Sequence, residues 1–326
     1  MSLKIGIMSM AHLHSHAYAS VINDIQAAEL VGIGDHDLER AKSAAVLYKT
    51  SMFETYEALL ASDIDAVVIA SENNRHRALT EMAAKAGKHI LCEKPLGTNP
   101  TDMQAMIDVC RSNNVQLMTA FPCRFSPAFQ RMKSAVDEGK IGKVLAIRGT
   151  NRGRCPWDWF VDKSQSGGGA VIDHTVHVTD LMRVLLNSEV ADVYAEIGNG
   201  IYHKEFDDSG FLTMTFENGV FATLDTSWSR PQNFPTWGDV TLSVVGERGT
   251  LSMDMFAQNL VLYSHNSPHS SWAPWGDNID LLMVSAFVDA ISNNKAVPIT
   301  GEDGMKAANV GLAAYKSFEA GGPVVP

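Results

Sequence analysis

A charged pair followed by proline, Glu93-Lys94-Pro95, comes directly after the short apolar run His89–Cys92. A run of this length is typical of a buried strand, and proline cannot extend a strand ladder because it lacks an N–H group. We therefore expect Lys94 at the carboxyl end of a strand, the edge at which open α/β sheets bind ligands. The alternative is a surface turn in which Glu93 and Lys94 are simply solvated.

A second group suited to chemistry follows the glycine run Gly167–Gly169 and contains Asp173, His177 and Asp180. If a helix begins near Asp173, these three side chains share one stripe at positions i, i+4 and i+7. An imidazole between carboxylates suits a general base, because the acids orient the ring and keep its pKa near neutrality. The alternative is that Asp173 caps the helix and His177 is structural. His174 points about 100° away and is expected to be structural.

Alternating strands and helices in the first third of the chain must position Lys94. Strict alternation predicts a parallel sheet with right-handed crossovers and helices on both faces. The predicted strands are Lys4–Met10, Ala28–Gly34, Ala66–Ala70, His89–Cys92 and Val115–Ala120, and the predicted helices are His14–Ile25, Leu38–Tyr48, Tyr56–Ser62, Arg75–Ala86 and Asn99–Asn113. The sequence therefore predicts a doubly wound, Rossmann-type nucleotide-binding domain at residues 1–120.

The turn after the first strand is where such a domain carries the sequence G-x-G-x-x-G. This chain instead has Ser9-Met10-Ala11-His12-Leu13-His14, without any of the three glycines. Ser9 and Ala11 are small enough for close backbone approach, and helix-terminal amides still suit a pyrophosphate. Asp35 ends the second strand about 20 residues farther on, where a carboxylate accepts hydrogen bonds from ribose hydroxyls. The alternative is that Asp35 caps the next helix, a role that Asp37 would fill equally well.

The same turn suggests a metal site as an alternative. His12, His14 and His16 form a His-x-His-x-His pattern that could hold a divalent metal, as in metal-dependent amidohydrolases. That fold is a (β/α)₈ barrel with further ligands at later strand ends. Too few alternating units follow residue 120 to complete one.

The second part of the chain, residues 121–326, predicts a different α/β domain. Strands joined by short glycine turns indicate a large, mostly antiparallel open sheet. The predicted strands are Val144–Gly149, Val190–Ile197, Gly210–Glu217, Gly219–Ser227, Asp239–Gly246 and Gly249–Met255, and the predicted helices are Pro127–Glu138, Ile279–Ser292 and Gly304–Ala320. We expect this domain to bind substrate and to support oligomerisation.

Composition limits the class of partner. The net charge of -11 argues against nucleic acid or an acidic membrane surface, because phosphates are met by Lys and Arg. No apolar run approaches the roughly 20 residues of a membrane span. The four cysteines show no Cys-x-x-Cys spacing and are expected to be reduced. We therefore expect a cytoplasmic protein with a small-molecule substrate.

Several of these motifs together resemble the Gfo/Idh/MocA family of NAD(P)-dependent oxidoreductases, relatives of glucose–fructose oxidoreductase and inositol dehydrogenase. The matching sequences are Glu93-Lys94-Pro95, Arg124-Phe125-Ser126-Pro127, the glycine run with Asp173, His177 and Asp180, Ile69-Ala70-Ser71 with His76, and the segment Pro298–Gly304. The resemblance covers essentially the whole chain. It implies that Lys94 lies near the nicotinamide and the substrate, and that His177 is the acid–base residue with Asp173 beside it. It also implies dimers or tetramers that pair their open sheets. The missing glycines are the departure from the family pattern.

The resulting hypothesis is hydride transfer between a nicotinamide cofactor and a secondary alcohol of a sugar or polyol. NAD is expected as the cofactor, since Asp35 would repel a 2′-phosphate, although NADP is not incompatible with His36 and Arg40 nearby. The predicted cofactor-binding residues are Ser9, Met10, Ala11, His12, Leu13, Asp35, Ser71, His76, Glu93 and Lys94. The predicted substrate-binding residues are Arg124, Arg152, Trp157, Asp173 and His177, with Trp272 and Trp275 as further candidates. The alternative from another class is a cofactor-binding regulator that has lost catalysis.

Overall fold

The computed structural model describes residues 2–234, 236–262, 271–274 and 276–326, with 259–262 and 271–274 described for their backbone only. The candidate Trp275 therefore lies outside the described residues, as does the side chain of Trp272. The chain divides into two compact units. The first comprises Met1–Pro122, Ser164–Gly167 and Ile279–Met305, and the second comprises Cys123–Lys163, Gly168–Asn278 and Lys306–Pro326.

The elements alternate in the first part of the chain and become strand-rich in the second. The strands are β1 (Leu3–Met8), β2 (Ala28–Gly34), β3 (Ser51–Phe53), β4 (Ala66–Ile69), β5 (His89–Cys92), β6 (Leu117–Thr119), β7 (Val144–Arg152), β8 (Val190–Gly198), β9 (Ser209–Phe216), β10 (Phe221–Ser227), β11 (Thr241–Gly246), β12 (Gly249–Asp254), β13 (Asn259–Leu262) and β14 (Ser271–Pro274). The helices are α1 (Ser15–Asp24), α2 (Leu38–Tyr48), α3 (Tyr56–Leu60), α4 (His76–Lys85), α5 (Pro100–Ser112), α6 (Pro127–Asp137), α7 (Lys163–Ser166), α8 (Ala170–Leu186), α9 (Ile279–Ser292) and α10 (Gly301–Ala320). No helix in the described part of the chain combines the length and apolarity needed to cross a membrane.

The first unit is built on a six-stranded parallel sheet in the order β3-β2-β1-β4-β5-β6. This is the doubly wound order, which places the carboxyl ends of β1, β2, β4 and β5 along one edge. The core strands are nearly all buried, as expected of a parallel sheet covered on both faces. The predicted fold class is confirmed for this part of the chain.

The edge strand β3 is the main element that the sequence does not predict in this unit. Ser51, Met52 and Phe53 are too few for a period to be visible, and none of them is fully buried. One helix cap follows its predicted chemistry. Asp37 Oδ1 accepts hydrogen bonds from Glu39 N and Arg40 N, each at 3.1 Å. Asp37 therefore caps α2, which leaves Asp35 available for another role.

The segment Ile279–Met305 belongs to the first unit, whereas the sequence assigned it to the carboxyl-terminal domain. Helix α9 packs against α1 and β1. Its side chains Met283, Val284 and Phe287 are nearly fully buried. Burial of this apolar surface draws a late segment back onto the early fold, a contact that sequence order does not reveal.

The second unit contains a six-stranded sheet in the order β12-β11-β7-β10-β9-β8. Strands β7 and β10 are parallel, and the other neighbours are antiparallel. The predicted large and mostly antiparallel sheet is confirmed. A separate antiparallel pair, β13 and β14, was not predicted.

Helix α8 packs on one face of this sheet, against β7, β9 and β10. Gly149 in β7 permits the close approach, because a Cβ there would lie 2.6 Å from Val178 Cγ1. Leu212 and Leu224 point to the same buried side. The opposite face carries Phe211 and Phe221, which are 61% and 56% exposed. The strand period therefore separates a packed face from an apolar exposed one.

Candidate active site

The turn after β1 contains a left-handed residue where the dinucleotide sequence has its first glycine. Ser9 has a φ of 75°, a region that non-glycine residues seldom adopt. Its hydroxyl accepts a hydrogen bond from Ala11 N at 3.2 Å, and Met10 N donates to Asp35 Oδ2 at 2.6 Å. These two bonds hold the tight turn without glycine. His12 N is bound to Ala70 O at 2.9 Å, which fastens the turn to the end of β4.

This turn fits the predicted dinucleotide. It precedes the amino-terminal end of α1, where backbone amides favour a pyrophosphate. Leu13 lies there with 48% of its surface exposed, and the carboxylate of Asp35 lies at the end of the neighbouring strand. A left-handed turn, a helix terminus and an acidic strand end are the parts by which this fold holds the cofactor.

Asp35 is buried and already receives several donors. Its Oδ2 accepts from Met10 N and Arg40 Nε, and its Oδ1 accepts from Asp37 N at 3.0 Å and Arg40 Nη2 at 2.7 Å. Burial would raise the pKa of this carboxyl, but Arg40 and the two amides hold it below its usual value. A ribose hydroxyl would therefore share or replace one of these contacts. The side chain of Arg40 is the partly exposed member, at 29%.

Glu93 lies at the end of β5 and is fully buried. His14 Nδ1 lies 2.9 Å from its Oε1, His12 Nδ1 lies 3.5 Å from the same oxygen, and Tyr18 OH donates to it. Its Oε2 accepts from Lys94 N at 2.9 Å. Burial would raise the pKa of Glu93, but His12, His14 and Lys94 hold it well below the usual range. We refer to Glu93, His12, His14 and Tyr18 as the Glu93 cluster.

Lys94 follows Glu93 and is 4% exposed. The Lys94–Pro95 peptide bond is cis. His76, at the start of α4, supports the segment that follows: its Nδ1 lies 3.1 Å from Pro95 O, and its Nε2 lies 3.3 Å from Ser71 O. Burial lowers the pKa of His76, which favours the neutral ring. Ser71 is also fully buried, and its hydroxyl donates to Glu72 O at 3.0 Å. His76 therefore links the ends of β4 and β5.

Helix α8 begins at Ala170, earlier than the predicted start near Asp173. The cause is Asp207 from a distant loop, whose carboxylate accepts from Gly169 N at 2.9 Å and Val171 N at 2.8 Å. Asp173 therefore lies inside the first helical turn and is not the cap. The stripe of Asp173, His177 and Asp180 is preserved, because all three remain within one helix.

The surroundings of Asp173 include two partners that the sequence did not indicate. Its Oδ2 accepts from Trp228 Nε1 at 3.2 Å and lies 3.3 Å from His174 Nε2. The other nitrogen of His174 lies 2.8 Å from Asn151 O, so His174 is placed as a structural residue would be. His177 is 8% exposed, one turn farther along the helix.

Arg124 is bound to Asp180, the third residue of the stripe. Its Nε donates to Asp180 Oδ2 at 2.8 Å, and its Nη2 donates to Oδ1. Asp180 is fully buried, and Arg183 Nη1 lies 3.6 Å from its Oδ1. This two-bonded geometry neutralises a buried carboxylate and fixes the guanidinium plane.

The other two predicted substrate residues lie in the segment before the glycine run. Arg152 Nε donates to Asp239 Oδ2 at 2.9 Å, and Arg230 donates to the same oxygen. Trp157 has a φ of 58° and is 40% exposed. Its ring meets Tyr202 edge-on, at a centroid distance of 5.1 Å. Arg152 is therefore held by a carboxylate, whereas Trp157 presents part of an indole to solvent.

The metal triad considered as an alternative, His12, His14 and His16, does not form. His16 Nδ1 lies 3.0 Å from Tyr48 OH, whereas His12 and His14 face Glu93. Across the described residues, His12, His14 and Glu93 do form a set whose potential ligand atoms lie within 4.8 Å of one another. However, His12 Nδ1 accepts a hydrogen bond from His14 N at 3.1 Å, so that nitrogen is already engaged. The sheet is also open rather than a barrel, so the hydrolase alternative is wrong.

Comparison with known protein families gives one match in the first part of the chain and another in the second. A model described as an oxidoreductase family with an NAD-binding Rossmann fold matches residues 3–121, and a GFO/IDH/MocA C-terminal domain matches residues 129–252. The chain belongs to the Gfo/Idh/MocA family. Its first unit is an NAD-binding Rossmann domain, and the predictions of an oxidoreductase and of NAD as cofactor are confirmed.

Relatives within this family match from about four fifths to nearly all of the chain. Myo-inositol 2-dehydrogenase of Thermotoga maritima is 28% identical over 331 residues, covering 97% of this chain and 96% of the relative. The 1,5-anhydro-D-fructose reductase of Ensifer adhaerens is 30% identical over 267 residues, 79% of each chain. The structure of scyllo-inositol dehydrogenase from Lactobacillus casei, with bound NAD(H) and scyllo-inositol, is 24% identical and covers 100% of this chain and 99% of its own, at a TM-score of 0.85. That structure shares the fold.

Four residues of the site were missed by sequence reasoning: Tyr18, Asp207, Trp228 and Asp239. Tyr18 lies four residues after His14, a helical spacing that would have been the signal, but it also fits the apolar stripe of α1. The other three reach the site from loops and strand ends far along the chain. Their contacts depend on tertiary structure, so local spacing in the sequence does not indicate them.

Proposed function

We propose that this protein is an NAD-dependent dehydrogenase that oxidises a secondary alcohol of a cyclitol or sugar, or reduces the corresponding ketone. The observation that carries the proposal is that Lys94, at the end of β5, is almost completely buried and that its backbone N–H donates to the carboxylate of Glu93. This arrangement occurs in a chain of an NAD-binding oxidoreductase family. Full-length similarity to a myo-inositol 2-dehydrogenase supports a polyol as the substrate class.

Lys94, His177 and Asp173 are the proposed catalytic residues. Oxidation of an alcohol releases a hydroxyl proton while hydride leaves the same carbon, and NAD⁺ supplies the hydride acceptor when bound. His177 takes the hydroxyl proton, because an imidazole is the side chain that most often serves as a general base and this one lies nearly buried in α8. Lys94 is proposed as a hydrogen-bond donor to the substrate. Asp173 lies one turn before His177 in α8 and is proposed to help orient its ring.

The cofactor is proposed to bind along the carboxyl edge of the first sheet. Ser9, Met10, Ala11, His12 and Leu13 would face the pyrophosphate with backbone groups. The ribose would meet Asp35, and Ser71, His76, Glu93 and Lys94 would line the nicotinamide end. This assignment follows the order of the strands β2, β1, β4 and β5 across the sheet.

Arg124, Arg152 and Trp157 are the proposed substrate contacts, together with Asp173 and His177. The two guanidinium groups suit hydroxyls, and the exposed face of Trp157 suits the C–H surface of a sugar ring. Because both arginines also hold carboxylates, they are oriented before substrate binds.

We also propose a homo-oligomer and a cytoplasmic location. The exposed face of the second sheet, with Phe211 and Phe221, is the surface offered for pairing with another copy. The location is supported by Cys92, Cys110, Cys123 and Cys155, all of which are buried thiols.

The test is a turnover screen with purified protein and NAD⁺ or NADP⁺. We expect myo-inositol, scyllo-inositol or another cyclic polyol to give NADH, measured by its absorbance. Titration with NADH, followed by fluorescence, is run in parallel. Binding without turnover of any polyol or sugar would favour the catalytically silent regulator, and the absence of both would contradict the proposal altogether.

A further inference from the structure

We propose that His14 is a positioning residue for Lys94. Its protonated imidazole holds the carboxylate of Glu93, and that carboxylate holds the backbone of Lys94. The inference rests on the proposed function for the importance of Lys94, but its structural content does not depend on the substrate.

The contacts form a chain through both oxygens of one carboxylate. His14 Nδ1 lies 2.9 Å from Glu93 Oε1, and Tyr18 OH donates to the same oxygen. On the other side, Lys94 N donates to Glu93 Oε2 at 2.9 Å. A carboxylate is planar and rigid, so fixing one oxygen fixes the direction from which the other accepts. The His14 ring, together with the Tyr18 hydroxyl, therefore orients the oxygen that accepts from the Lys94 amide.

The geometry around Glu93 favours His14 over His12 as the ring that holds its carboxylate. A fully buried carboxylate requires a positive partner, because burial of an uncompensated charge is very costly. His12 Nδ1 accepts from His14 N at 3.1 Å and lies 3.5 Å from Glu93 Oε1, farther than His14 Nδ1 at 2.9 Å. His14 Nδ1 faces Glu93 directly, and 35% of the His14 side chain is exposed, compared with 2% for His12. His14 is thus the ring that exchanges protons with water.

The position of His14 in the sequence explains why this linkage exists. It occupies the place of the third glycine in Ser9-Met10-Ala11-His12-Leu13-His14 and is the residue immediately before α1. A glycine there would remove the imidazole that, of the two histidines, lies nearer to Glu93 Oε1. The imidazole instead connects the cofactor-binding turn to the Glu93-Lys94-Pro95 segment.

Charged and titratable groups face His14 from each surrounding element. They are Glu93 and Lys94 at the end of β5, Tyr18 in α1, Asp280 in α9 and His12 in the turn, and Glu93 in turn acts on the pKa of His76 in α4. Burial would lower the pKa of His14, but Glu93 and Asp280 together raise it above 6.5. The ring is therefore charged at low pH and loses its proton as the pH rises through this raised pKa. The hold on Lys94 weakens on the alkaline side.

The linkage is measurable without any substrate. Protein labelled with ¹⁵N-lysine reports the Lys94 amide by NMR, and the Lys94→Arg variant assigns that signal. We expect the Lys94 amide to titrate with the same midpoint as the His14 ring signal. In His14→Ala the amide signal should move to a new position and stop titrating. The glutamine of His14→Gln keeps a hydrogen-bond donor but has no titratable proton. In this variant the Lys94 amide signal should stay near its low-pH position at all pH values.

His16→Gln is the matched control, because His16 lies in the same segment but contacts Tyr48 rather than Glu93. It should leave the titration of Lys94 unchanged. A Lys94 amide that does not titrate in the wild type, or one that still titrates in His14→Gln, overturns the proposal. Stoichiometric zinc in the purified protein that is lost in His14→Ala overturns it too, since a metal would then be the positive partner.

Turnover gives the second measurement. We expect His14→Ala to lower kcat by roughly 10- to 100-fold, which is the effect of misplacing a reacting group. We also expect kcat of the wild type to decline at alkaline pH. This decline should be absent in His14→Gln. If no polyol is turned over, the proposed function fails while the NMR result still decides the role of His14.

Discussion

Arg40 and Asp35 are joined by two hydrogen bonds of 2.7 Å, from Nε to Oδ2 and from Nη2 to Oδ1. The carboxylate expected to meet the cofactor ribose therefore carries its own positive partner. Asp35 disfavours a 2′-phosphate by its charge, whereas Arg40 beside it would attract one. Cofactor preference thus depends on this pair rather than on Asp35 alone.

We expect the wild-type protein to bind NADH more tightly than NADPH, because the carboxylate of Asp35, at the end of β2, would repel a 2′-phosphate. Arg40→Ala should weaken NADPH relative to NADH by about tenfold, since a hydrogen bond to a charged group contributes roughly 1.5–3 kcal/mol. Fluorescence titrations at one ionic strength measure both. Lys42→Ala, an exposed change on the same helix, is the control. Tighter binding of NADPH by the wild type would refute this prediction.

Replacing His177 by alanine should lower turnover by roughly 10²–10⁴-fold, the usual contribution of a general base. NADH affinity should remain nearly unchanged. Lys94→Ala should also suppress turnover and weaken ligand binding because a charge is lost, while Asp173→Asn should be milder than either. His203→Ala, an exposed histidine of the same unit, is the control. Full activity in His177→Ala would remove this residue from the mechanism.

Arg124→Ala should destabilise the protein by about 3–5 kcal/mol, because it leaves the fully buried Asp180 without its main partner. Thermal and denaturant unfolding measure this loss. Lys133→Ala, which breaks the exposed pair with Asp137, should change stability by less than about 1 kcal/mol. Equal effects of the two substitutions would show that the Arg124 pair is no more than a surface contact.

Asp239 gives a prediction for acid stability. Burial would raise its pKa, but Arg152, Thr150 and Arg230 lower it below 3.8. The stabilisation is therefore present above the unfolded pKa and is lost as the pH falls through the lower folded pKa. Asp239→Asn should reduce stability at pH 7 and should converge with the wild type in acid. Asp63→Asn, at an exposed pair with Lys4, should show almost no difference at either pH.

The exposed sheet face predicts self-association. Light scattering at micromolar concentration should give the mass of a dimer or tetramer. Charged replacements of Phe211 and Phe221, which are on the same face, should shift the mass toward a monomer. Val46→Glu on α2, where the side chain is 76% exposed, should have no such effect. A monomeric wild type would contradict the proposed pairing.

Local patterns in the sequence were sufficient for most of the elements and for the class of the two six-stranded sheets, but not for β3, α7, β13 or β14. The apolar runs of β2 and β5 and the helices α2 and α9 have the predicted bounds, because strand and helix periods are properties of neighbouring residues. The stripe of Asp173, His177 and Asp180 also follows from helical spacing alone. The sequence offered both Asp35 and Asp37 as caps for α2. Asp37 is the cap, and Asp35 lies at the predicted end of β2.

The partners of these groups were decided by the tertiary structure. No spacing indicates that Arg40 neutralises Asp35, that Arg124 neutralises Asp180, or that Asp207 sets the start of α8. Some of these contacts join positions far apart in the chain. In the others, several side chains have suitable spacing, and the sequence does not indicate which one makes the contact. The same holds for His14 and His16, which are alike in sequence but face Glu93 and Tyr48. The types of residue were therefore determined locally, whereas their charges and orientations depend on which groups folding brings within bonding distance.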